Sequence, residues 1–152
     1  MASISVDDFL LFCDRTINGF IAATNQLDDN TINRPPFDEA SSTAALTIHA
    51  LSAATFWCDH VIAGNPTSRH RDSEFAATAT VAELAQRCAE TKMLLHTLGP
   101  SINAATDLHI EPTVQTALGQ PWTVGTALIH AYEELAQHLG HVEMTVDALI
   151  NG

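Results

Sequence analysis

Glu134 and His138 stand four residues apart in the run Glu133-Glu134-Leu135-Ala136-Gln137-His138-Leu139-Gly140-His141, near the C-terminal end of the chain. On a helix that spacing is about 40° of rotation and about 6 Å of rise, so both side chains point the same way. The same i, i+4 geometry lets two ligands on one helix hold one metal ion in H-E-x-x-H sites. Two ligands alone make a weak site. A third from a neighbouring helix would complete the three-ligand, one-water arrangement of catalytic zinc. His49, in an earlier helical pattern, is the candidate.

Four helical segments must position these residues. The first is expected over Val6 to Gln26, with Phe9, Leu10, Phe12, Cys13, Ile17, Phe20 and Ile21 as an apolar stripe. Asn30 to Pro36 is a turn-rich break, because Pro35-Pro36 cannot lie inside a helix. The second helix is expected over Ser42 to Ala63, capped by Ser41 or Ser42 and ended by Gly64-Asn65-Pro66. At 100° per residue, Leu46, Ala50, Ala53 and Trp57 fall roughly 40–100° from His49, which puts His49 on the edge of the buried face.

The third helix opens at a capping box, Thr80-Val81-Ala82-Glu83, and should end near Leu98, before Gly99-Pro100. A long connection from Ser101 to Trp122 follows, with a short irregular hairpin expected over Ile102 to Ile110 and Thr113 to Leu118. The fourth helix is expected from near Thr123 to about Ile150. Leu128, Ala131, Leu135, Val142 and Val146 form its apolar face, which Glu134 and His138 border. The expected architecture is all-α: a single domain over residues 1–152, built as a four-helix bundle.

Other histidines compete for the ligand roles. His130 with Glu134, and His138 with His141 at i, i+3, are both geometrically allowed. His130 and His138 lie about 12 Å apart along the axis and cannot easily share an ion. Periodicity puts His130 and His141 nearer the polar flank, as surface residues or as supports for the ligands. His60 falls near the far end of the second helix. Arg69-His70-Arg71 is a basic loop cluster that could hold a substrate carboxylate, although a solvated loop is the plainer reading.

Composition narrows the partners. Six Lys and Arg against 18 Asp and Glu give a formal charge of −12, which argues against nucleic acid and anionic membrane surfaces. With 46% hydrophobic residues the chain is globular rather than disordered. Cys13, Cys58 and Cys88 fall in three separate helical patterns with no CxxC, as expected of reduced, partly buried thiols in a cytoplasmic protein. The N-terminus lacks a basic stretch and turns acidic at Asp7-Asp8, unlike a signal peptide. The most apolar run, Ala44 to Cys58, is too short and too polar to span a bilayer. No G-x-S-x-G, P-loop or G-x-G-x-x-G motif occurs, and there are no paired Glu-x-x-His repeats of a di-iron bundle.

The segment Trp122-Thr123-Val124-Gly125 through Leu128-Ile129-His130 and on to His141 resembles the last helix of DinB/YfiT-like proteins. The branch it is most similar to includes the N-terminal domain of mycothiol-dependent maleylpyruvate isomerase. Leu46-Thr47-Ile48-His49-Ala50-Leu51, running on to Phe56-Trp57 and Ala63-Gly64, resembles the second helix of that branch. The resemblance implies an up-and-down bundle with a divalent metal held by His49, Glu134 and His138. The mycothiol branch pairs a glutamate with a histidine on the last helix, where many other superfamily members use two histidines. The chain has no counterpart of the isomerase's C-terminal domain, so maleylpyruvate is not the expected substrate.

Two neutral imidazoles and one carboxylate around a divalent ion leave a net charge of +1, which lowers the pKa of a bound water or thiol. Zinc is the expected ion, with nickel, iron and manganese as alternatives. The leading expectation is a metal-dependent thiol S-transferase or isomerase-like enzyme acting on a small-molecule thiol and an electrophile. Its rivals are a metal-dependent hydrolase, a non-catalytic metal-binding homodimer and, by ligand type, a non-haem iron oxygenase.

Overall fold

The computed structural model describes residues 5–104, 114 and 122–152. Helices run over α1 (Val6–Thr24), α2 (Thr43–Thr55), the short α3 (Arg71–Glu74), α4 (Val81–Ala104) and α5 (Val124–Asn151). A 3₁₀ turn, Thr31–Asn33, follows α1, and α2 passes directly into a π-helical segment, Phe56–Ile62. Among the described residues there is no strand, and no helix is long and apolar enough to cross a membrane.

Each long helix starts where a polar side chain can take an orphan backbone N–H. Ser5 and Asp8 form a reciprocal capping box on α1, and Thr80 and Glu83 form another on α4. Ser42 accepts from the Ala45 N–H at 3.1 Å, and Thr123 from the Thr126 N–H at 3.1 Å. The π-helical segment stops at Gly64, whose φ of 80° lies in the left-handed region that glycine enters freely.

The four long helices form a bundle in which α1 packs on α4 and α5, and α2 packs on the same two. α1 and α2 touch only marginally, so these consecutive helices sit across the bundle from one another. At the α1–α5 crossing, a Cβ on Gly19 would lie 2.6 Å from Leu139 Cδ2. The core between the four helices includes Ile17 and Phe20 of α1, Ala50 and Ala54 of α2, Leu95 of α4, and Leu135 and Val142 of α5. The Ile, Phe, Leu and Val side chains among these contribute about 1.5–3 kcal/mol each when fully buried. A second cluster, Ile32, Ala44, Ile48, Ala79 and Leu84, packs the 3₁₀ turn and the start of α4 against α2.

Three expectations need correction. Phe12 is 44% exposed, its ring edge-on to Tyr132 at 5.9 Å, rather than part of the buried stripe of α1. The second helix is helical to its expected end but widens to a π-helix from Phe56. The third helix does not stop before Gly99-Pro100: it carries Pro100 in its interior and runs to Ala104, which delivers Ile102 to the core at 1% exposure. Tertiary burial there outweighs the hydrogen bond that proline cannot make. The start of the expected hairpin, at Ile102, is therefore helical. The rest of the hairpin and of the long connection lies outside the described residues, apart from Val114, whose N–H meets the Val61 carbonyl at 3.0 Å.

Candidate metal centre

α2 and α5 pack side by side, and that contact joins the two halves of the candidate site. His49 comes from the middle of α2, and Glu134 and His138 from successive turns of α5. His49 Nε2 lies 3.4 Å from Glu134 Oε2, and His138 Nε2 lies 3.5 Å from the same oxygen. One ligand atom from each of the three residues falls within 4.8 Å of the others. Ligands about 2.0–2.1 Å from a tetrahedral zinc are separated by about 3.3 Å, close to both distances to the shared oxygen. Two imidazole nitrogens and a carboxylate are also donors that zinc accepts. The residues present fit a divalent ion.

Electrostatics point the same way. His138 first, and His49 second, lie close to Glu134 Oε2 and hold its carboxyl well below the usual carboxylate range, against the opposing effect of burial. The charges of His138 and His130 add to the shift. Glu134 is therefore a carboxylate, ready to meet a cation. The site has a closed and an open side: the His49 side chain is 3% exposed, that of Glu134 20% and that of His138 15%. Solvent reaches Glu134 and His138 but not His49.

Each of the three has a partner on its far side. His49 Nδ1 lies 2.7 Å from Glu74 Oε2, Glu134 Oε1 lies 3.5 Å from His130 Nε2, and His138 Nδ1 lies 3.4 Å from His141 Nδ1. His130 is turned by its Nδ1 contact with Glu133 at 2.8 Å. Its ring also packs edge-on against Trp57 at 4.7 Å, and Trp57 stacks on Trp122 at 4.6 Å. These aromatic rings pack behind His130, which itself faces Glu134. His60 is turned away, its Nδ1 donating to the Asn65 carbonyl at 2.6 Å, and His70 is exposed at the start of α3.

Sequence reasoning missed Glu74 and underread Arg69. Arg69 grips Glu74 with two bonds, Nε–H to Oε1 at 2.7 Å and a terminal N–H to Oε2 at 3.0 Å. A cavity of about 550 Å³ lies between α2, the π-helical segment, the loop ahead of α4 and α4 itself. Ser52, Phe56, Arg69, Glu74, Arg87 and Thr91 are among its lining, whereas Glu134 and His138 are not. Glu74 thus forms part of the wall between this cavity and the candidate metal centre.

A family model described as mycothiol-S-transferase matches residues 8–148. Among solved structures, the chain is similar to a crystal structure of a conserved protein from Enterococcus faecalis. The two share 17% identity at a TM-score of 0.78, over 99% of this chain and 100% of that one. At that identity the likeness establishes the fold alone. No curated protein matches the chain.

Proposed function

The chain belongs to the mycothiol-S-transferase family, a DinB-like group, and on that premise we propose that it is a metal-dependent enzyme that transfers a low-molecular-weight thiol to an electrophile. The observation that carries the metal part is the convergence of His49, Glu134 and His138 donor atoms within 4.8 Å of one another, with one nitrogen of each histidine 3.4–3.5 Å from the same Glu134 oxygen. These three side chains would hold the ion, and zinc suits them best.

A divalent ion bound there supplies positive charge that lowers the pKa of an adjacent thiol, so that thiolate is present near neutral pH. The protein's own residues supply the rest. Glu134 offsets part of the ion's charge and leaves the site at +1. His49, held on the closed side, would bind the ion through Nε2, with Glu134 and His138 on the more exposed side. Trp122, half-buried and stacked on the buried Trp57 beside His130, offers an apolar surface on which a hydrophobic electrophile could rest. In the transfer the thiolate sulfur forms a bond to carbon, the leaving group departs with its electron pair, and the thiol proton passes to bulk water.

Cys13, Cys58 and Cys88 are free and buried, which suits a reducing compartment, and we place the protein in the cytoplasm. None of the three is the transferred thiol: burial pushes Cys13 and Cys88 up to about 12, and Cys58 higher still.

The test is conjugation of mycothiol, and of cysteine as a simpler thiol, to a haloaromatic or bimane reagent by the zinc-loaded protein. Turnover should vanish on chelation and return with zinc. Full metal occupancy without conjugation of mycothiol, bacillithiol, glutathione or cysteine overturns thiol transfer.

A further inference from the structure

We infer that Glu74, gripped by Arg69, is the positioning residue that fixes His49 with Nδ1–H turned outward and Nε2 aimed at Glu134 and His138; as it concerns metal binding, the inference rests on the reading above. Glu74 is 6% exposed and occupies the last position of the four-residue α3. A buried carboxylate persists only when paired and hydrogen-bonded. Arg69 meets that requirement with its two-bond grip, and its guanidinium also lies 5.3 Å over the Phe56 ring of the π-helical segment. An ionised carboxylate only accepts hydrogen bonds, so the 2.7 Å contact assigns a hydrogen to His49 Nδ1.

The consequence falls on the other nitrogen. With Nδ1 engaged by Glu74, Nε2 is the nitrogen left to face Glu134 Oε2, at 3.4 Å. At that distance the nitrogen and the oxygen attract one another only with a positive charge between them, a proton when the site holds no metal and the ion when it does. Phe75 fixes the ring plane: its ring lies 4.5 Å from that of His49 with 31° between planes, and Arg71 lies 5.2 Å over the Phe75 ring. One short stretch, residues 69–75, thus holds both the Nδ1 edge and one face of the imidazole. Arg69 cancels the charge of Glu74, so the pair orients His49 without altering the net charge of the centre. Outer partners of this kind typically change metal affinity by about 10–100-fold.

The experiment compares the full-length wild-type protein with Glu74→Gln and Glu74→Ala, using zinc titration and ¹⁵N NMR with ¹¹³Cd as a second metal probe. The wild-type protein should show a persistent His49 Nδ1–H resonance without metal and ¹¹³Cd coupling to His49 Nε2. Glu74→Gln, matched in shape, should weaken zinc binding about 10–100-fold while circular dichroism stays unchanged. Glu74→Ala should lose the Nδ1–H resonance. Wild-type coordination through Nδ1, or a folded Glu74→Gln protein with zinc affinity within twofold of wild type, overturns the proposal. If wild type binds neither zinc nor cadmium but keeps the Nδ1–H resonance, the metal reading fails and the orientation of His49 by Glu74 stands.

Discussion

Replacing His138 by alanine should remove the metal and its stabilising effect together, whereas His141→Ala should leave both largely in place. His138 presents Nε2 toward the shared Glu134 oxygen at 3.5 Å, while His141 touches only the opposite nitrogen of His138, at 3.4 Å. A ligand that binds the folded chain alone stabilises it by about 2.7 kcal/mol at a concentration 100 times its Kd. For a chain of this length, each kcal/mol moves Tm by about 2–4 °C, so zinc at that excess should raise Tm by about 5–11 °C. With two ligands left, His138→Ala should show almost no zinc-dependent shift. In the metal-free state it should lose little stability, since this half-buried side chain leaves no sealed cavity behind. Scanning calorimetry with and without zinc, at fixed pH and salt, reads all three quantities. If His138→Ala keeps the shift and His141→Ala loses it, the ligand set must be redrawn around His141.

The buried thiols should make the fold sensitive to alkali. Burial pushes all three pKa values up, so the folded state favours neutral thiols; the stabilisation is fully present below about pH 9 and is lost as pH rises toward 12. Each thiol should steepen the loss by up to about 1.4 kcal/mol per pH unit. Urea midpoints from pH 8 to 11 should therefore fall less steeply for Cys13→Ala than for wild type, and equal slopes would show that the folded thiol ionises freely. At pH 8 the folded protein should resist a disulfide reagent that labels three thiols after unfolding. Ile102→Ala should cost about 2–5 kcal/mol, because the side chain sits in the core beyond Pro100; a cost under 0.5 kcal/mol would place the end of α4 elsewhere. Thr80→Ala should cost about 1 kcal/mol in a urea titration by removing one arm of the α4 capping box.

The parts legible in the sequence share a cause: they lie on long helices with a 3.6-residue period. Glu134 and His138 follow from i, i+4 spacing, and the caps at Ser42 and Thr80 from residue type. Leu128, Ala131, Leu135, Val142 and Val146, the face read from the pattern of the last helix, are all buried. The illegible parts lie where that period fails. The π-helical segment breaks it after Thr55. Pro100 looks like a stop, because the burial of Ile102 that carries the helix past it is decided by the other helices.

His49 shows the limit most clearly. A helical wheel leaves it at the edge of the buried face, yet it is 2% exposed. The difference is made by residues 69–75, whose sequence carries no periodicity and whose helix is a single turn. That stretch covers the flank of α2 left open by the bundle. It does so with a carboxylate against one ring nitrogen and a phenyl ring against one face. A covering chosen only for burial would not place an ionised glutamate there, since the charge must then be matched by Arg69. What this arrangement gains over an apolar cap is a fixed direction for Nε2, and that direction leads to Glu134 and His138. The bundle brings α2 and α5 together, and the loop decides how the one candidate ligand from α2 is presented.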